Sequence, residues 1–440
     1  MLFNFRVDEP APMSKTTLLD EHYTRSKREL LQQVVERLRP IYTPEEAAAL
    51  RIDPVDPGIL SQRSGRGFVN RDILETVLGN LLECVAPGSH NALDQQDEGS
   101  ADLSSALGEL ADQLYAMIAQ SFQAVEEVED LEQKSLMATF ALLWRLPELK
   151  QRSMWNRFAA LKDPAVWDAY LMHRCGLTPE ELSKLDVGAC VDETIRQRDL
   201  DHYRSFLQHL ECSFILNYQM QLVMSTYPGW RVLLYHEVAN ALTKAGPVDG
   251  NDALESMPVP LLSRAIAELG ARYYQADIHP ETEIGDANFL DHTHRGLTTG
   301  QTGVIGCGCH IMPCTLGGLT RRLRRRHPLI GDYVIIGTAA DLLGPVGIGD
   351  RSIIGPSTQI YGLVETGADC RIGSSVVIGT VKSGETKPGR ILIGSGVQIG
   401  DGTIVENRSE LDLVIPDKAQ IPALSHLTND GNSTPRFVRA

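Results

Sequence analysis

The 440-residue chain has no run of about 18 apolar residues, so nothing in it reads as a membrane span. Cysteine is sparse. Eight in 440 residues build no disulfide framework, and a reducing, cytoplasmic setting is expected. Positive charge is in deficit: 41 Lys and Arg stand against 57 Asp and Glu, a formal net charge of −16. That speaks against a general affinity for nucleic-acid phosphates. The opening residues, MLFNFRVDEPAPMSK, lack the apolar stretch of a signal peptide and the Arg/Ser richness of a transit peptide. What is left is an ordinary globular composition, 42% apolar and 22% charged, long enough for two or three domains.

One stretch runs against the acidic balance. TLGGLTRRLRRRHP, residues 315–328, carries Arg321, Arg322, Arg324, Arg325 and Arg326. Such a cluster reads either as a nucleic-acid or nuclear-targeting patch or as a clamp for a small anion.

The two halves of the chain have different periods. In the first, Leu103, Leu107, Leu110, Leu114, Ile118, Phe122 and Val125 recur at three- and four-residue steps, which places them on one helical face. Residues 18–42 look similar and end at Pro40. Residues 85–101 are polar and rich in turn formers, so a linker is expected there, with a second break over 245–260. From about residue 276 the step becomes six. Ile278, Ile284 and Leu290 begin it, and Ile330, Ile336, Leu342, Ile348, Ile354, Ile360, Thr366, Ile372 and Ile378 continue it. Ile393, Ile399, Val405 and Leu411 resume it after an insertion. Neither a 3.6-residue helix nor a plain alternating strand demands a period of six. A parallel β-helix with three strands per coil does, with one aliphatic side chain per strand pointing inward and glycine at the corners. The expected fold is α+β: an all-helical N-terminal part followed by a left-handed parallel β-helix of hexapeptide repeats. The expected segments are a helical extension (1–140), a helical domain (141–275), the β-helix (276–423) and a tail (424–440).

Helices followed by this β-helix resemble the serine O-acetyltransferases among the hexapeptide-repeat acyltransferases. The resemblance covers roughly residues 227–380 and rests on YPGW (227–230), YHEVANAL (235–242), DIHPETEIG (277–285), LDH (290–292), TLGG (315–318) and RHP (326–328), in order. It implies transfer of acetyl from acetyl-CoA to the hydroxyl of L-serine, for cysteine synthesis. Such a transfer needs a base near neutral pKa, and a carboxylate that fixes its tautomer and stabilises the imidazolium. The resemblance makes His292 the base and Asp277 its partner. The two are fifteen residues apart, and a coil of about eighteen residues sets them on neighbouring coils. The resemblance also places Asp291 on the amino group of serine and Arg326 with His327 on its carboxylate, where a planar guanidinium fork suits two oxygens. Gly317 and Gly318 would lie beside the pantetheine arm. Thr338 would be a further cofactor contact, where alanine is usual.

Several features depart from the pattern. Pro356 removes an N–H at another cofactor position, Gln301 stands where glutamate is usual, and His294 is a second imidazole near the base. A second substrate carboxylate, in a DPA motif, is matched by Asp163 within KDPAV (162–166), with about fifty residues inserted after it. The remaining arginines stay open between a funnel for the coenzyme phosphates, a solvated loop pairing with the acidic helices, and RNA contact or nuclear targeting. CGCHIMPC (307–314) fits no common four-ligand zinc spacing, and strand residues alternate in direction, so no metal is expected. A three-histidine zinc site from His292, His310 and His327 is the competing metal reading. The family assembles trimers with the active site between subunits, so a homo-oligomer is expected, with no membrane partner. Its sulfhydrylase partner grips a terminal isoleucine, and Ala440 argues against that complex. Two rival functions remain: acetyl transfer to another small hydroxyl acceptor, and a non-catalytic β-helix scaffold.

Overall fold

Apolar residues at helical spacing do form helices, and residues at sixfold spacing do form coils. A computed structural model describes residues 71–85, 103–125, 130–160, 223–319, 324–380, 389–429 and 436–439, all within the unit Val69–Ala440. The helices are α1 (Arg71–Val85), α2 (Leu103–Val125), α3 (Leu131–Trp144), α4 (Leu146–Ala159), α5 (Gly229–Ala241) and α6 (Pro260–Tyr274). On α2, Leu110, Leu114 and Ile118 of the expected face are buried, and Met117 joins them. They share one core with Leu78 and Leu82 of α1, Leu234 of α5 and Leu262 of α6. The helix expected over 18–42 and the linker expected after Val85 lie outside the described residues. Among the described residues no helix is long and apolar enough to cross a membrane.

The break expected over 245–260 is a β-hairpin. Gly246–Val248 pairs antiparallel with Asn251–Ser256, and Gly250 turns the chain at a φ of +74°. The hairpin is tied to the end of α3, where Trp144 Nε1 donates to Asp249 O at 3.3 Å and Arg145 to Ser256 Oγ at 3.3 Å.

Helix α6 starts on Pro260, which suits a first-turn position. It stops at Gln275, in the left-handed region at φ 54°, and the first solenoid strand follows at once (Ala276–Ile278). Strands then stack in parallel into three sheets. Two hold seven strands each, giving seven full coils, and the third holds nine, closed by an antiparallel strand at Arg436–Arg439. Registers such as Ile335↔Ile353↔Arg371 show the eighteen-residue repeat. Past residue 423 the third sheet continues through Ser425–Asn429, and the final hairpin covers its edge.

The sixfold residues form the solenoid core. Ile330, Ile336, Leu342, Ile348, Ile354, Ile360, Ile372 and Ile378 are all at most 2% exposed. Each contributes on the order of 1.5–3 kcal/mol of burial. Two expected positions miss. Leu411 is 68% exposed, and Leu413 is the buried residue of its strand. An extra turn held by Asn407, whose Nδ2 donates to Leu411 O at 2.9 Å, shifts the phase by two. Thr366 is half-buried, and its Oγ1 accepts from Gly349 N–H at 3.0 Å while Val364 fills the core.

The glycines that follow the aliphatic residues do not make the corners by left-handed φ. Most left-handed corners carry other residues, among them Tyr333 (φ 58°), Arg351 (58°), Asp369 (61°) and Lys418 (59°). The glycines are needed for clearance between coils. A Cβ on Gly331 would stand 2.3 Å from Asp350 Oδ1, and one on Gly394 2.3 Å from Asp417 Oδ1. Those aspartates accept backbone N–H bonds from the coil below, Asp332 N at 2.9 Å and Ser395 N at 2.8 Å.

Candidate active site

The residues of interest gather where the first coil leaves the helices. Gly229 opens α5 against the strand Phe289–Leu290, so closely that a Cβ there would lie 2.0 Å from Leu290 O. That is the physical use of the glycine in YPGW. Tyr227 meets Phe289 edge to face at 5.8 Å between centroids, and Phe289 stacks on His310 at 4.8 Å. The strand thus delivers Asp291 and His292 to a braced corner.

At that corner Asp291 N donates to Ile311 O at 2.9 Å, which seats the residue beside the strand His310–Ile311. Its carboxylate is shared: Oδ1 lies 3.3 Å from His292 Nε2, and Oδ2 lies 3.3 Å from His310 Nε2. Asp291 and His310 are 14% and 16% exposed, whereas the His292 side chain is 61% exposed. His292 adopts a left-handed φ of 50° and precedes a short 3-10 turn, Thr293–Arg295. The Asp291 carboxylate is thus largely enclosed, while the His292 imidazole beside it faces solvent.

The arrangement differs from the expectation in one respect. His292 sits in the corner between the first and second coils, and its neighbour within the chain is Asp291, not Asp277. Asp277 is the outward residue of Ala276–Ile278, with Oδ1 3.8 Å from Arg264. Coil arithmetic overlooked the six-residue corner, residues 291–296, that precedes Leu297–Thr299, the strand paired with Asp277's own. His294 stands edge-on to His292 at 6.0 Å between centroids.

Arg326 and His327 lie together on the third coil, between Thr315–Gly317 and Leu329–Ile330, and reach back to Thr302 on the second. His327 is 8% exposed and rests on two glycines, since a Cβ on Gly300 or Gly318 would fall 1.8 or 3.0 Å from its Nε2. Thr302 N–H donates to His327 Nδ1 at 3.2 Å, so Nδ1 is the acceptor and Nε2 carries the proton of the neutral ring. Burial, then the Arg326 guanidinium and His279, push this imidazole below its usual range, which keeps it neutral. Arg326 N–H donates to Thr302 Oγ1 at 3.1 Å, and its guanidinium donates to Gln301 Oε1 at 3.1 Å. Gln301 Nε2 in turn donates to Glu281 Oε2 at 2.9 Å. An amide at 301 can do both, accepting from the guanidinium and donating to the carboxylate; sequence reasoning registered the residue and missed this bridging use.

The expected cofactor residues have packing roles of their own. A Cβ on Gly317 would come within 2.9 Å of Leu343 Cδ2, and Gly318 makes room for His327. Thr338 Oγ1 points at Met312 Sδ, 3.5 Å away. Arg324 and Arg325 are exposed. Arg321, Arg322 and Asp163 lie outside the described residues. Cys309 and Cys314 are buried, and desolvation pushes both thiols up to about 12, far from thiolate character.

A second polar cluster joins helices and solenoid. Arg152 of α4 reaches Glu237 of α5 at 3.3 Å and Asp286 of the first coil at 2.5 Å, and it donates to Ile284 O at 2.8 Å. Asn156 donates to Glu237 at 3.0 Å and accepts from Asn288 N–H at 3.0 Å. This cluster floors a cavity of about 700 Å³ bounded by α3, α4, α5 and the hairpin. Nothing in the sequence periodicity marked it.

No family model matches the chain. It is 30% identical over 182 residues to the serine acetyltransferase of Synechococcus elongatus, covering 40% of this chain and 62% of that one. It is 36% identical over 129 residues to that of Mycobacterium tuberculosis (29% and 51%). It is 31% identical over 169 residues to that of Helicobacter pylori strain J99 (38% and 81%). The chain thus spans between about half and three fifths of the first two relatives, and most of the third. With 31% identity across 81% of the Helicobacter pylori protein, the chain belongs to the serine acetyltransferase family.

Proposed function

We propose that this chain transfers acetyl from acetyl-CoA to the hydroxyl of L-serine, yielding O-acetylserine for cysteine synthesis, with His292 as general base. The observation that supports it most is the exposed His292 imidazole, 3.3 Å from the largely buried Asp291 carboxylate. Serine oxygen attacks the thioester carbonyl as its proton passes to His292. The tetrahedral intermediate then collapses, and the proton leaves with the coenzyme thiol, so no acyl-enzyme forms. Asp291 and Asp277 are the two carboxylates available to orient the ring and offset the imidazolium charge. In this reading Asp291 also faces the substrate ammonium, as does Asp163, while Arg326 and the Nε2–H of His327 hold the carboxylate. Gly317, Gly318 and Thr338 border the pantetheine arm. Subunits pack as a trimer with the site in the cleft between them, the helical half supports further association, and the protein works in the cytoplasm.

The test is thiol release from acetyl-CoA with L-serine. The natural chain should turn over, and His292→Ala should lose about 10²–10⁴ in kcat, the usual share of a general base. Turnover unchanged by that substitution removes His292 from the role.

A further inference from the structure

We infer that His310 is a positioning residue for the proposed base: its Nε2 anchors one oxygen of Asp291 so that the other is held against His292. The inference rests on the reading of His292 given above, and it starts from the shared carboxylate. Asp291 Oδ2 is 3.3 Å from His310 Nε2, and Oδ1 is 3.3 Å from His292 Nε2. A carboxylate on a short side chain rotates about its terminal torsion, which is broad for aspartate. Fixing one oxygen to an N–H removes that freedom and sets the direction of the other.

His310 is itself well held. Its ring stacks on Phe289, which Tyr227 braces from the helical side, and its backbone N–H donates to Val334 O at 3.0 Å in the coil beyond. It is therefore a rigid donor reaching across from the next coil, with only 16% of its side chain exposed. One consequence follows. With Oδ1 on Nε2 of His292, Nδ1 is the nitrogen left to take the serine proton.

The experiment compares the natural full-length chain with His310→Leu, His310→Gln, His310→Asn and Asp291→Asn. Leucine keeps bulk on Phe289 and removes the N–H. Glutamine restores an N–H at similar reach, and asparagine falls short of Asp291. Steady-state thiol release should show a ten- to hundredfold loss of kcat for His310→Leu, with KM for acetyl-CoA within twofold, and recovery to within threefold for His310→Gln. The second readout needs no turnover. Carbethoxylation of His292 by diethyl pyrocarbonate, followed by peptide mass spectrometry at pH 6.5, should quicken at least threefold in His310→Leu, because the Asp291 carboxylate is then free to turn away from the ring. It should quicken in Asp291→Asn. A purely packing role for His310 moves neither rate. If His310→Leu fails to fold, the Gln and Asn pair decides, Asn behaving as the loss and Gln as the rescue. Should the natural chain release no thiol with L-serine, the serine reading falls, and the modification rates still judge His310. Equal His292 modification in the natural chain and the variants lacking the N–H overturns the proposal.

Discussion

The first coil carries two clusters of acids and bases, and they differ in one variable. At the joint, Arg152, Glu237 and Asp286 meet with side-chain exposures of 21%, 5% and 4%, and His236 beside them is 4% exposed. At the corner, Asp291 and His310 are nearly as enclosed, but His292 is 61% exposed. The residue types are almost the same. At the joint the acids and His236 are buried, so their ionisation is tied to folding. The corner cluster is open at one end, where the His292 ring faces solvent beside the enclosed Asp291 carboxylate. Burial, more than composition, separates the two clusters here.

The largest effect expected is at the joint. Arg152→Ala leaves Glu237 and Asp286 buried without their shared cation, and breaking a buried pair from one side costs about 3–5 kcal/mol. Urea unfolding should show that loss, whereas His292→Ala should stay within about 0.5 kcal/mol of the natural chain. The contrast between the clusters breaks if the two variants exchange places, with Arg152→Ala silent in urea and His292→Ala unfolding early.

The next effect is a pH profile of stability. Desolvation lowers His236 to about 3 and raises Glu237 to about 7, from ordinary values of 6.5 and 4.5. For His236 the unfolded chain binds the extra proton between pH 3 and 6.5, so that part of stability is lost as pH falls. For Glu237 the folded chain binds the extra proton between 4.5 and 7, so that part is lost as pH rises. Each slope is about 1.4 kcal/mol per pH unit. Between pH 4.5 and 6.5 they cancel, leaving a plateau with an acid limb below it and a shallow decline from 6.5 to 7. Melting temperature against pH checks this. His236→Gln should flatten the acid limb, and Glu237→Gln the decline.

The same split governs what could be read in advance. The solenoid core was legible because one inward residue every six is imposed by geometry, and Ile330 through Ile360 obey it. The resemblance rested on six short motifs, and two of them, at 290–292 and 326–328, run off or between strands, where the fold sets Asp291, His292, Arg326 and His327. What could not be read depends on insertions and on long side chains crossing between elements. The six-residue corner at 291–296 upset the coil arithmetic that set His292 against Asp277, which faces Arg264 instead. His310 looked like part of a cysteine-rich strand, and only the lateral pairing of Phe289 with His310 reveals that it faces the corner. Arg152 spans 132 residues to reach Ile284 O, a contact with no local trace.

The smallest effect expected lies at Leu411, where the sixfold rule and the structure disagree. By period it should be core; instead it is 68% exposed and Leu413 is 1% exposed. Leu413→Ala should therefore cost about 2–5 kcal/mol by emptying a closed layer beneath Ile391, its lateral partner. Leu411→Ser should change the unfolding midpoint of the isolated subunit by no more than about 0.5 kcal/mol. Measuring Leu411→Ser at two protein concentrations separates two kinds of exposure. A loss that grows on dilution marks a side chain covered by another subunit, as the trimer reading allows, because stability gained from assembly follows concentration. A loss independent of concentration and as large as that of Leu413→Ala would mean that Leu411 is the inward residue after all, and that the extra turn held by Asn407 does not shift the phase of the coil.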